Sequence, residues 1–402
     1  MRILVLNAGS SSQKCCLFEI KGAQLPSKMP PPFWEAETDG DHLKVSTSAG
    51  AKWEEPMDTS DSYTGISHLL QSLWSGSTAI VAHPSEIDIV GHRVVHGGRN
   101  FRVPTRVDSE VKAAIRELSP LTPAHNPAAL LGIEAVESLI GDVPQIAVFD
   151  TAFHTSLPDA AAVYPIPFEW SEQGIRRYEF HGISHEDCAR RAAQILGRDF
   201  RSLSLITCHL GNGCSLCAIW DGESIDTTMG FTPLEGLMMG TRSGSVDPGI
   251  LLYLMSEKSL SADELDHILN QESGLKGVSG VSGDLREIDV AMAAGNARAT
   301  LSFEIYIHHL RAGVGAMLAS LGGLDALVFT GGVGEHSAEI RAALCEALGF
   351  FGIFLNSTKN EDSPKNVDIA TLESKVRVLV IEAQEDWAIA RECWKLAVCE
   401  PT

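Results

Sequence analysis

Arg2-Ile3-Leu4-Val5-Leu6-Asn7-Ala8-Gly9-Ser10-Ser11-Ser12-Gln13-Lys14-Cys15-Cys16-Leu17-Phe18 reads as a buried strand, a tight polar turn and a return strand. The apolar runs lack a helical period, and Gly9 permits backbone angles that a side chain forbids. The turn offers several backbone N–H groups and three hydroxyls in a small arc, with Lys14 close behind. That chemistry suits phosphate oxygens, which makes Ser10, Ser12 and Lys14 candidate contacts. A plain serine-rich hairpin has the same local pattern, so repetition has to separate the two readings.

The chain does repeat the device. Leu203-Ser204-Leu205-Ile206-Thr207-Cys208-His209 ends in Leu210-Gly211-Asn212-Gly213 and resumes as Cys214-Ser215-Leu216-Cys217-Ala218-Ile219. A third run, Leu327-Val328-Phe329-Thr330, meets Gly331-Gly332-Val333-Gly334-Glu335 and continues into a helix. Three such turns suggest one ligand with several phosphates, held between two similar halves.

A length of 402 residues predicts two domains, placed at 1–150 (with a C-terminal helix, 386–402, joining it) and 151–385. The formal net charge of −21 argues against nucleic acid or an anionic membrane as partner. An anion-binding cleft must then gather its own positive charge. No apolar stretch is long enough to span a bilayer, and the first strand leaves no room for a signal peptide. Nine scattered cysteines fit a reducing, cytoplasmic location, with Cys214 and Cys217 as buried apolar residues.

Along the chain, residues 21–60 are rich in Pro, Asp, Ser and Gly and read as irregular surface with a strand or two. Ile87 to Val95 is a buried strand containing Arg93, a residue costly to bury unless an anion or carboxylate meets it. Asn126 is expected to cap a helix with Pro127 at its first position, which sets His125 before the helix's positive end. Asp150 stands at the C-terminal edge of the strand Gln145–Phe149, where open α/β sheets bind ligands. His181 precedes a second helix, for which Ser184 to Asp187 reads as a capping box. Arg242 sits among small residues in Gly240-Thr241-Arg242-Ser243-Gly244, and Ser273 to Asp284 reads as a loop. Alternating strands and helices in two halves indicate an α/β fold.

Taken together, Asn7-Ala8-Gly9-Ser10-Ser11-Ser12-Gln13-Lys14, Gly91-His92-Arg93-Val94-Val95-His96-Gly97-Gly98, His125-Asn126-Pro127, Phe180-His181-Gly182, His209-Leu210-Gly211-Asn212-Gly213-Cys214-Ser215 and Gly240-Thr241-Arg242-Ser243-Gly244 resemble the acetate kinase family over nearly the full chain. The resemblance implies two domains of duplicated ribonuclease H-like topology, of the actin and hexokinase type, and usually a homodimer. It implies reversible transfer of the ATP γ-phosphoryl group to acetate, giving acetyl phosphate and ADP, with Mg²⁺ or Mn²⁺. Carried over by residue, Arg93, His125, Asp150, His181 and Arg242 are the active-site set, and Asn7 and Glu385 the metal site. His209, Gly211, Asn212 and Gly213 fall at the phosphates; Asp284, Leu285, Arg286, Gly331, Gly332, Val333, Glu335 and His336 fall around adenosine. Arg93, Val95, Ala124, Phe180 and Pro233 line the small-acid pocket.

Acetate is already ionised at neutral pH, so Asp150 is expected to orient an arginine or a metal-bound water and not to act as a base. Three positions depart from the family: Leu285 for the usual Phe, His336 for the usual Asn and Ala124 for the usual Leu. The last widens the pocket toward propionate or butyrate, since one methylene is worth about 1 to 3 kcal/mol there. Competing readings are a propionate, butyrate or pyrophosphate-dependent kinase of the same fold, and a non-enzymatic actin-like ATP binder.

Overall fold

The computed structural model describes every residue except 9–12, 23, 27, 40–41, 57–61, 124, 363 and 400–402; the side chains of Asp39, Ser62 and Cys399 are likewise left aside. Ser10, Ser12 and Ala124, three candidate site residues, therefore lie outside the described residues. Backbone proximity divides the chain into two compact units, residues 1–152 with 384–402, and residues 153–383.

The first unit carries β1 (Arg2–Ala8), β2 (Gln13–Glu19), β3 (Trp34–Asp39), β4 (His42–Thr47), β5 (Lys52–Pro56), β6 (Ile89–Val94), β7 (Thr105–Arg106) and β8 (Gln145–Phe149). They form one sheet in the order β5-β4-β3-β2-β1-β6-β8-β7. β1 and β2 pair antiparallel with Asn7 opposite Lys14, and β1, β6 and β8 run parallel. The stretch expected to be irregular surface holds three strands, β3 to β5. Its Pro- and Ser-rich composition hides a meander whose alternation is short, yet Trp34, Leu43 and Val45 alternate inward and are buried.

The second unit carries β9 (Leu205–Leu210), β10 (Cys214–Trp220), β11 (Glu223–Thr227), β12 (Ala326–Thr330), β13 (Val367–Asp368) and β14 (Arg377–Val380). Their order is β11-β10-β9-β12-β14-β13. Here too an antiparallel hairpin, β9–β10, leads to two parallel neighbours, β12 and β14. The series β3-β2-β1-β6-β8 and β11-β10-β9-β12-β14 thus match in order and direction, which is the duplicated topology.

Helices cover these sheets. In the first unit the helix Glu385–Cys399 packs on β6 at Gly91, where a Cβ would lie 2.6 Å from Cys393 Sγ and 2.7 Å from Ile389 Cγ2. Trp387 lies beside Phe18, ring centroids 5.4 Å apart. Three local expectations change. Asn126 does not cap a helix: it is the first residue of Asn126–Leu139, and its amide accepts from the His96 N–H at 3.0 Å and donates to His96 O at 3.1 Å. Helix Gly182–Leu196 starts ahead of Ser184, at a left-handed His181 (φ 60°), so the expected capping box is absent; Ser184 bonds a histidine instead. The loop before Asp284 contains a short helix, Gly274–Ser279, where successive glycines and serines leave little apolar period to read.

Candidate active site

In the first unit Arg93 comes up from the end of β6 and Asp150 follows β8 directly, which the parallel pairing makes neighbours. Arg93 Nε and Nη2 donate to Asp150 Oδ2 at 2.9 and 2.6 Å. Its Nη1 donates to Asn7 Oδ1 at 3.3 Å and lies 3.9 Å from Glu385 Oε2. Burial opposes the Arg93 charge, but Asp150 and Glu385 outweigh it and raise its pKa. Asp150 is therefore tied to an arginine, whose fork it orients.

Asn7 is itself fixed. Its Nδ2 donates to Asp386 Oδ1 at 2.7 Å, which turns its Oδ1 toward Arg93. Burial raises the Asp386 carboxyl while Asn7 opposes the shift. Asn7 Oδ1 and the Glu385 carboxylate are hard oxygen donors, the type Mg²⁺ prefers. Lys14 is drawn to Glu37, 3.6 Å away. His125 occupies the position before helix Asn126–Leu139, half-buried, and Val95 is buried just beyond β6.

In the second unit the β9–β10 turn brings another set together. His181 and His209 stack with centroids 4.2 Å apart at 23°. A Cβ placed on Gly213 would sit 3.5 Å from His181 Cε1 and Nε2 and 3.6 Å from Arg242 Nη1. Both cationic or hydrogen-bonding groups thus converge above one glycine. Arg242 is half-buried; among the described residues its side chain makes one long hydrogen bond, Nη1 to Pro233 O at 3.5 Å, and no ion pair. Burial lowers its pKa, and Cys214 only partly offsets this. A sheltered guanidinium without a carboxylate is a place for an anion.

The adenosine-loop candidates fall into two groups. Gly331 has φ 77°, and a Cβ there would meet Leu210 O at 2.7 Å, so only glycine fits. Buried Glu335 accepts from Gly331 N at 3.1 Å and from Ala383 N at 2.9 Å, holding the turn. Gly240 packs against Asn212, whose Oδ1 would be 2.3 Å from an added Cβ. Asp284 caps helix Leu285–Ala293 and pairs with exposed Arg286 at 2.5 Å. Leu285 is buried in the helix's inner face, while His336 and Gly332 are exposed and Val333 is half-buried. Phe180 is buried and Pro233 half-buried.

Sequence reasoning overlooked several partners: Asp386, Ser184, His185, Thr207 and Ser215. The signal was present in register. His181 and His185 are one helical turn apart, Thr207 and His209 share a face of β9, and Ser215 pairs with His209 across the hairpin.

A family model for the acetokinase family matches residues 2–391. The chain is 61% identical to the acetate kinase of Gloeobacter violaceus over 402 residues, covering 98% of this chain and 99% of that one. It is 58% identical to that of a Nostoc species with the same coverage. Among solved structures, Porphyromonas gingivalis acetate kinase superposes with a TM-score of 0.88 at 39% identity, covering 99% of this chain and all (100%) of that chain. A Francisella tularensis propionate kinase does so with a TM-score of 0.88 at 35% identity, covering 98% and 99%. The family model, the relatives and the solved structures agree: the chain belongs to the acetokinase family.

Proposed function

We propose that the chain transfers the γ-phosphoryl group of ATP to acetate, reversibly and in line, giving acetyl phosphate and ADP. Phosphotransfer to acetate is the activity of the family, and the chain is a phosphotransferase of that kind. Arg242 carries the reading at the level of residues: sheltered, without a carboxylate partner among the described residues, and converging with His181 above Gly213.

The reaction needs alignment and charge stabilisation more than covalent chemistry. Acetate arrives ionised and is held by the Arg93 fork, which Asp150 fixes from behind. His181 and Arg242 donate to the equatorial oxygens of the phosphoryl group in flight. His125 adds a hydrogen-bonding group at a helix N-terminus. The β9–β10 turn, Gly211 to Gly213 with His209, cradles the phosphates. Asp284, Arg286, Gly331, Gly332 and Val333 border the nucleoside, with Glu335 acting through the Gly331 backbone. Buried Leu285 gives no face for stacking on the base.

Asn7 and Glu385 would hold Mg²⁺ or Mn²⁺, whose charge would offset that of the ATP phosphates. Asp386 presents the Asn7 oxygen to that position. We also assign a homodimer: in helix Pro248–Lys258 no residue is buried, and Leu252 and Tyr253 are 68% and 57% exposed. Among the described residues no helix is long and apolar enough to cross a membrane. The eight described cysteines are buried free thiols, which supports a reducing compartment, the cytoplasm.

A second reading, preference for propionate or butyrate, draws support from Ala124 and from the likeness to a propionate kinase. Hydroxamate trapping of acyl phosphate, with ATP and Mg²⁺ against acetate, propionate and butyrate, separates them. The highest kcat/KM on acetate is the expected result. A higher value on a longer acid would rename the substrate, and no acyl phosphate from any acid would end the kinase reading.

A further inference from the structure

Behind His181 runs a chain of hydrogen bonds that the catalytic assignment does not use. His181 Nδ1 lies 2.9 Å from Ser215 Oγ, Ser215 Oγ lies 2.8 Å from His185 Nε2, and His185 Nδ1 lies 2.7 Å from Thr207 Oγ1. Ser215, His185 and Thr207 are all fully buried. Helix Gly182–Leu196 supplies one histidine and its preceding residue the other, while β9 and β10 supply the hydroxyls.

We propose that Ser215 and His185 are positioning residues that hold His181 as the tautomer carrying its proton on Nε2, the nitrogen that faces the Gly213 volume with Arg242. The inference rests on the phosphoryl transfer proposed above. A serine hydroxyl has one proton, and a neutral imidazole has one donor and one acceptor. Burial holds His185 neutral, with His154 and His209 acting in the same direction. The chain therefore has two self-consistent settings.

In the first, Thr207 donates to His185 Nδ1, His185 Nε2–H donates to Ser215, and Ser215 donates to His181 Nδ1. His181 then bears its proton on Nε2. In the reverse setting His181 Nδ1–H donates to Ser215, and a neutral ring would point a lone pair at the anion. A phosphoryl group above Gly213 selects the first setting. If His181 is protonated, the reversed chain still leaves an N–H on Nε2, so the donor survives in either charge state. Among the described residues, titratable groups facing the chain are His209 stacked on His181, Arg242 across Gly213, His154 at 5.7 Å from His185, and Cys217, which pairs with Thr207 across the hairpin and is itself coupled to Glu179; Cys214 acts on Arg242.

The test labels the histidines with ¹⁵N in the full chain and reads the His181 tautomer by long-range ¹H–¹⁵N spectra, with a non-hydrolysable ATP analogue and Mg²⁺. His181→Gln assigns the resonance. The unmodified chain should show a single neutral tautomer protonated at Nε2, and Ser215→Ala a mixture. Steady-state kinetics accompany it: Ser215→Ala should lower kcat in proportion to the fraction of rings that lose the Nε2 proton, by about 2- to 10-fold, with little change in either KM. The deficit should shrink toward acid pH, where the imidazolium carries both N–H groups. His185→Gln, whose amide can donate to or accept from Ser215, should retain more activity than His185→Leu.

A proton on Nδ1 in the unmodified chain, or an unchanged tautomer in Ser215→Ala, overturns the proposal. So does a Ser215→Ala pH profile parallel to the original. The tautomer is read without turnover, so a chain inactive on every acid would refute the kinase reading while leaving this result separately legible.

Discussion

Arg242 and Glu179 show how much one side chain can decide. Arg242→Ala removes the guanidinium beside Gly213, so kcat should fall by on the order of 100-fold or more, measured as acyl phosphate formation at saturating substrates. Glu179 is the opposite case, a residue whose setting costs stability. It has φ 65°, a conformation that suits glycine, and its carboxyl is fully buried. Burial drives its pKa well above the usual carboxylate range, opposed in part by Arg177 and the amides of Phe180 and Met229. The native state thus favours the protonated acid. Its contribution is intact below the unfolded-state pKa and is lost as pH rises through the folded one. Glu179→Gln should therefore raise the melting temperature at pH 8 and leave it nearly unchanged near pH 4. Glu179→Gly, which also relieves about 1 kcal/mol of backbone strain, should add a pH-independent increment. Equal melting curves at both pH values for Glu179→Gln would contradict this.

At the scale of elements, the glycine turns do the positioning. Gly331→Ala would force a left-handed alanine and a Cβ 2.7 Å from Leu210 O, displacing the β12–helix turn. The expected effect is a raised KM for ATP with the KM for acetate preserved, in a coupled assay that varies each in turn. The same turns made the fold readable in advance, because an apolar run without helical period, stopped by glycine, has few other interpretations. β1–β2, β9–β10 and β12 with its helix were legible for that reason. The meander β3 to β5 was not, since short strands with surface composition declare themselves only when Trp34 finds its core. Nor was the start of helix Gly182–Leu196 legible: Ser184 carries a capping signature, but its hydroxyl is taken by His209 Nδ1 at 2.8 Å. Arg93, Asp150, His181 and Arg242 stood out singly as polar residues in apolar or glycine-rich surroundings. The supporting residues did not: Asp386 reaches Asn7 from a helix at the far end of the chain, His185 follows His181 by one helical turn, and Ser215 meets this group across the β9–β10 hairpin.

At the scale of the molecule, each unit closes its own sheet, and the first depends on chain from the far end. Helix Glu385–Cys399 lies on β6 through Gly91 and beside Phe18 through Trp387. Gly91→Ala should destabilise the first unit by about 1 to 3 kcal/mol through overpacking against Cys393 and Ile389, read as a lower denaturation midpoint. Truncation after residue 383 should abolish cooperative unfolding of that unit. The homodimer proposed above is tested at the exposed helix Pro248–Lys258: light scattering should find a dimer for the unmodified chain and a monomer for Leu252→Glu with Tyr253→Glu, and a dimer in both would move the interface elsewhere.

The most direct measurement is ADP release from ATP and Mg²⁺ with and without acetate, for the unmodified chain and for Arg242→Ala. Release should depend on acetate in the unmodified chain, and the acetate-dependent part should fall by about 100-fold in the variant. ADP release indifferent to acetate, or an acetate-dependent rate untouched by Arg242→Ala, would contradict phosphoryl transfer to a carboxylate at this site.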